Sequence, residues 1–176
     1  MQGTLTILRP SGPPSTPEIP AMTGTIEDRL ASLGYTLPAA PAPVANYVPY
    51  TIVGNLLFIS GQVSKAADGT LATGALGRDL DVAAGQEAAR HSALNVLAQA
   101  KAALGSLERV AQIVRLTGFV NATPDFTDHP AVINGASDLV VDVLGDAGRH
   151  TRAAVGVSSL PLNSAVEIDA IIRIAD

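Results

Sequence analysis

The stretch His150 to Ile174, HTRAAVGVSSLPLNSAVEIDAIIRI, holds two apolar strand patterns separated by a turn. The first, Thr151 to Val157, has Arg152 at its head. In the second, Ala165 to Ile174, Val166, Ile168, Ala170, Ile172 and Ile174 alternate with Glu167, Asp169 and Arg173, the period of a half-buried strand. Leu160-Pro161 and Asn163-Ser164 mark the turn between them. A charge beside such apolar sequence needs a partner or a task. If the two strands are neighbours, the Arg152 guanidinium and the Glu167 carboxylate flank one small cleft, with room for a small carboxylate-bearing molecule and a water.

Upstream, Thr25 can cap a short helix through Leu33, ended by Gly34. Val48 to Val53 and Leu56 to Ser60 predict two strands around Gly54-Asn55, a hairpin signal. Asp81 to Leu104 is the strongest helix pattern: Ala-rich, with Ala93, Leu97, Ala100 and Leu104 at helical spacing and Gly105 as its stop. Val110 to Asn121 predicts a long strand, with Gly118 marking a bulge or a close contact. Pro130 to Leu144 predicts a second long helix with Val132, Leu139 and Val143 inward. This order predicts an α+β domain over residues 25–176, one mixed sheet with two long helices on one face.

Residues 1–24 carry five prolines and no helical or strand period, which predicts a flexible Pro-rich arm. Met22 directly precedes the first helix and is a candidate start. The alternative is an ordinary tail. The arm has no apolar core of the kind a signal peptide requires.

The 176 residues are 47% hydrophobic but only 3% aromatic, so Ala, Val, Leu and Ile must build the core. A mean hydropathy of +0.30 points to apolar surface buried between subunits. The net charge of -5 and the lack of a Lys/Arg cluster argue against a nucleic-acid partner. The absence of Cys excludes a disulfide framework and a thiolate nucleophile and fits a reducing, cytoplasmic location. No apolar run is long enough to span a bilayer, so no membrane partner is expected. His91, His129 and His150 lack metal-ligand spacing, and no metal is expected. The glycines around Gly74 and Gly77 lack the Lys and Ser/Thr of a phosphate loop.

Four motifs in order, spanning roughly Ile26 to Ala175, make the chain resemble the RidA/YjgF reactive intermediate deaminase family. They are Asn46-Tyr47-Val48, the run Val53 to Gln62 ending in Ser60-Gly61-Gln62, the segment Leu116 to Asn121 followed by Asp125-Phe126 and Asn134, and the Arg152 to Glu167 tail. The resemblance implies a chorismate-mutase-like fold assembled as a homotrimer, with clefts between subunits. It implies hydrolytic deamination of 2-aminoacrylate-like enamines and imines to 2-keto acids and ammonia, without a cofactor. By the same resemblance Arg152 holds the substrate carboxylate, Glu167 serves the attacking water, and Tyr47 closes over the ligand. Ser60 and Gly61 line the cleft, and Asn134 faces it from the second long helix. The bland alternatives are an ion pair for Arg152, an exposed edge-strand position for Glu167, a packing aromatic for Tyr47 and an exposed helical residue for Asn134.

Three departures mark a divergent subfamily. His150 stands where many members carry Pro, Ala154 where many carry Cys, and the stretch from Phe126 to Arg152 is longer. Three rival readings remain at this level: a noncatalytic protein that binds a small keto or amino acid at the same cleft, a ribonuclease, and an enzyme of chorismate-like diacids. The acidic charge disfavours the second, and the third wants more than one converging cation.

Overall fold

The computed structural model describes residues 24–41 and 46–175; all of the Pro-rich arm except Gly24 lies outside them. The first helix, α1 (Ile26–Ser32), is closed by a capping box in which the Thr25 side chain accepts from the Asp28 amide and Asp28 from the Thr25 amide. A hairpin follows, β1 (Tyr50–Val53) and β2 (Leu56–Val63), turning at Gly54 with φ 60°. Helix α2 (Val82–Leu104) starts at Asp81, whose side chain accepts from the Ala84 amide at 2.8 Å, and stops at Gly105 in the left-handed region. Next come β3 (Val110–Asn121), α3 (His129–Leu144), β4 (Thr151–Val157) and β5 (Val166–Ile174).

The five strands form one mixed sheet in the order β1-β2-β5-β3-β4. Only β3 and β4 run parallel, and α3 supplies the crossover that such a pair requires. Helix α2 packs over β2 and β5, and α3 packs over β3 and β4, so both long helices cover one face. Leu57, Ile113, Leu116, Val120, Ile168 and Ile172 point from the sheet into this layer. They meet Ala93, Leu97 and Ala100 of α2 and Val132, Ile133 and Val140 of α3. Among the described residues no helix covers the opposite face, which presents half-buried Phe58, Phe119 and Ile171 and exposed Val155.

Of the two readings of Gly118, a bulge or a close contact, the structure has the close contact, because a Cβ there would strike the Ile133 side chain. The bulges of β3 fall earlier, between Val110 and Gln112 and between Ile113 and Arg115. The condition that the last two strands be neighbours, on which a shared cleft within one chain depended, is not met. The turn at Pro161–Asn163, with Leu162 and Asn163 both at φ 57°, carries the chain across β3, which pairs with β5 on one side and β4 on the other. No helix among the described residues is long and apolar enough to cross a membrane.

The two long helices approach most closely at Gly135, where an added Cβ would run into the backbone of Gln86, and the Gln86 side chain ties them by donating to the Ala131 carbonyl at 2.9 Å. Backbone cannot rotate away from such a clash. Gly135→Ala is therefore expected to lower the unfolding free energy by on the order of 1–3 kcal/mol, read by urea denaturation. An unchanged midpoint would show that the helices separate freely.

Candidate functional site

Two residues of β2, Ser60 and Gly61, oppose the single residue Asp169 of β5. The register runs Ile59↔Ala170 and then Gln62↔Ile168. This bulge has two effects. It sends the Gln62 side chain to the helix side, level with buried Ile168, and it places Val63 opposite Glu167. Gly61 then lies directly against the Glu167 carboxylate, and a Cβ at this position would overlap it. Glu167 is on the third of five strands, half-buried, so the edge-strand alternative fails. Burial pushes its carboxyl up from the ordinary value, and the like charge of Asp169 adds to the shift.

A cavity of about 320 Å³ opens beside this carboxylate. Tyr47, Pro49, Gly61, Glu167 and Leu162 contribute to its wall. Tyr47 is 52% exposed and is not a core aromatic. The Ser60 hydroxyl donates to the Val48 carbonyl at 2.9 Å and fixes the segment that carries Tyr47. Four of the expected site residues, Tyr47, Ser60, Gly61 and Glu167, are thus brought together.

The other two are brought together elsewhere. Arg152 is level with Leu116, on the helix side of the outer strand β4, whereas Glu167 is level with Phe119 on the uncovered face. The Arg152 Nη1 donates to Asn134 Oδ1 at 2.9 Å and to Ser137 Oγ at 3.0 Å. Among the described residues no carboxylate lies within ion-pair distance of Arg152. The ion pair with Glu167 considered as the bland alternative does not form within one chain. The guanidinium is held by neutral groups, Asn134 and Ser137. It borders an open recess with Ser137, Arg149 and His150.

Sequence reading missed Ser137, although its position one turn after Asn134 on one face of α3 was an available signal. The His150 Nδ1 lies 2.6 Å from the Gly148 carbonyl, which can only accept, so Nδ1 donates. In the neutral ring Nε2 is then an acceptor, and it takes the Ser137 hydroxyl at 3.0 Å. A directed chain therefore runs from Arg152 through Ser137 to His150 and Gly148.

The sheet, its one-sided helices and these two side-chain groups can be set beside known proteins. Residues 27–172 match a single family model, described as "YjgF/chorismate mutase-like, putative endoribonuclease". The chain belongs to this YjgF family. Protein TCP17 of Trypanosoma cruzi is 49% identical over 86% of the chain and 96% of that protein. The crystal structure of Atu1372 from Agrobacterium tumefaciens superimposes with a TM-score of 0.80 at 54% identity, covering 85% of this chain and 92% of that one. A 2-iminobutanoate/2-iminopropanoate deaminase of Dermatophagoides farinae is more distant, 27% identical over 78% of the chain and 92% of its own length.

The raised Glu167 value has a consequence for stability. The folded carboxyl holds its proton more tightly than the unfolded one. Its contribution therefore favours folding at acid pH and is lost as pH rises through the raised folded value. Glu167→Gln, which mimics the protonated form, is expected to raise Tm at neutral pH and to leave it unchanged at acid pH. Thermal denaturation of both proteins across that range checks this; a Tm difference independent of pH would exclude desolvation as the cause.

Proposed function

We propose that the protein is a hydrolytic deaminase of 2-imino acids, working at a cleft completed between two copies of the chain in a homotrimer. The observation that carries the reading is the split of the site. A carboxylate beside a cavity lies on the central strand and on the uncovered face, and a pre-oriented guanidinium, without an ion-pair partner among the described residues, lies on the outer strand and on the other face. Each half lacks what the other has. A head-to-tail contact between copies brings the Glu167 half of one against the Arg152 half of the next, and three such contacts close a ring. The uncovered apolar face with Phe58, Phe119 and Ile171 supplies surface for that contact.

In this reading Arg152 takes the substrate carboxylate, with Asn134 and Ser137 holding the guanidinium plane so that little freedom is lost on binding. Glu167 accepts a proton from a water as its oxygen bonds to the imine carbon. Return of that proton to the imine nitrogen gives a carbinolamine. The carbinolamine hydroxyl then gives its proton to Glu167 and the nitrogen takes one up, so that the C–O double bond forms as the C–N bond breaks with its electron pair leaving on nitrogen, and ammonia and the 2-keto acid result. A carboxylate made more basic by burial is suited to the first step, and the rate is expected to rise with pH as Glu167 loses its proton. Gly61 leaves the carboxylate unobstructed, and Tyr47 covers the cleft. The distant deaminase relative supports the reaction, and the acidic chain without a basic patch disfavours RNA as substrate.

Ammonia release from 2-iminopropanoate generated in situ tests the activity, with Arg152→Ala and Glu167→Gln each expected to abolish the acceleration. Mixing the two variants by co-refolding tests the split. In a randomly mixed ring about a quarter of the clefts pair an intact Arg152 with an intact Glu167, so about a quarter of wild-type activity is expected to return. Wild-type acceleration with no recovery on mixing would place both residues in one chain's site. No acceleration by wild type would favour a noncatalytic binding protein that uses Arg152 to hold a keto or amino acid.

A further inference from the structure

The cavity beside Glu167 is larger than the proposed reaction requires. At about 320 Å³ it reaches the range of about 300–1,000 Å³ that holds drug-sized ligands. A three-carbon imino acid would leave most of it empty. From Glu167 the cavity continues past the bulge to α2, where three amide side chains line it: Gln62, Asn95 and Gln99. They are 7%, 3% and 1% exposed. Asn95 and Gln99 are one turn apart on one face of α2, and the bulge is what brings Gln62 to the same side.

Buried amides need partners for both ends. Their donor ends are engaged within the chain. Gln62 Nε2 donates to the Ser60 and Gly61 carbonyls at 2.9 and 3.3 Å. Asn95 Nδ2 donates to Val63 and Lys65 at 3.2 and 2.8 Å, and Gln99 Nε2 donates to Pro41 at 2.7 Å. Among the described residues nothing donates to the three side-chain carbonyl oxygens. The far end of the cavity therefore offers three acceptor oxygens against one remaining Gln99 N–H, with Lys65 also in the wall, behind an apolar passage walled by Tyr47 and Leu162.

We infer that this end of the cavity binds the substrate side chain, and that the preferred substrate is a 2-imino acid whose apolar stem ends in an N–H donor: a carboxamide, ureido or guanidinium group. The inference rests on the deaminase reading above. The stem lies along Tyr47 and Leu162, and the terminal N–H groups satisfy the oxygens of Gln62, Asn95 and Gln99. A side chain without donors leaves those oxygens buried and unpaired, which is how a polar subsite rejects an apolar analogue.

The test uses imines generated in situ by an amino-acid oxidase from glutamine, arginine, norleucine and alanine, following ammonia release over the uncatalysed rate. The kcat/KM for the glutamine- and arginine-derived imines is expected to exceed that for the norleucine-derived imine by about tenfold or more. Gln99→Leu should bring that ratio to about one. Gln62→Met is a second variant at a less buried position and should do the same. If wild type accelerates the alanine-derived imine but treats the norleucine and glutamine imines alike, the subsite is overturned and the deaminase reading stands. A preference that survives both substitutions also overturns it. If none of the four imines is accelerated, the deaminase reading fails and this substrate class fails with it.

Discussion

Alternate residues of β5 from Val166 to Ile174 are all buried, and this single apolar row dictates the rest of the sheet. A strand with so continuous an inward row is most stable with neighbours on both sides, and β5 has β2 on one side and β3 on the other. With β5 there, β4 lies outside β3, where it pairs parallel and needs α3 to return the chain. The same placement puts the outward residues of β5 in the middle of the uncovered face. Glu167 is among them, between a bulged β2 and Phe119. Its partial desolvation, its contact with Gly61 and its distance from Arg152 all follow from the burial of its neighbours in sequence.

Local features were legible in the sequence because their causes are local. The alternation of β5, the Asp81 cap and Gly105 stop of α2, and the Gly54-Asn55 turn each act over a few residues, and each was found where expected. The order of strands was not legible. Leu160 to Ser164 has the composition of a turn whether the chain doubles back beside its last strand or steps across a third one, and only the distant partner β3 decides. The assumption that β4 and β5 were neighbours failed for this reason, and a cleft shared by Arg152 and Glu167 within one chain failed with it. Asn134 and Ser137, one turn apart on α3, point to one side whatever the sheet order, so that part of the site could be read from spacing alone. The three amides could not. Gln62 reaches Asn95 and Gln99 only through the bulge at Ser60-Gly61, a register shift with no marker beyond a glycine in a strand.

The two halves of the site use opposite electrostatic strategies. Arg152 stands on an outer strand in contact with solvent, and its neighbours Asn134, Ser137 and His150 hold it without neutralising it. Among the described residues no carboxylate pairs with it. Glu167 sits where burial and Asp169 both oppose its charge, and the fold bears the resulting destabilisation near neutral pH. An isolated chain gains nothing from either arrangement. A Gln at position 167 would relieve the strain on folding, and a carboxylate beside Arg152 would satisfy the guanidinium. Both become favourable when the guanidinium of one copy and the carboxylate of the next act on one bound molecule. On the proposed reading, the cost at Glu167 makes a stronger base, and the charge at Arg152 makes a carboxylate anchor. Local choices that oppose folding stability and agree with one another only across an interface are what a site assembled between subunits requires.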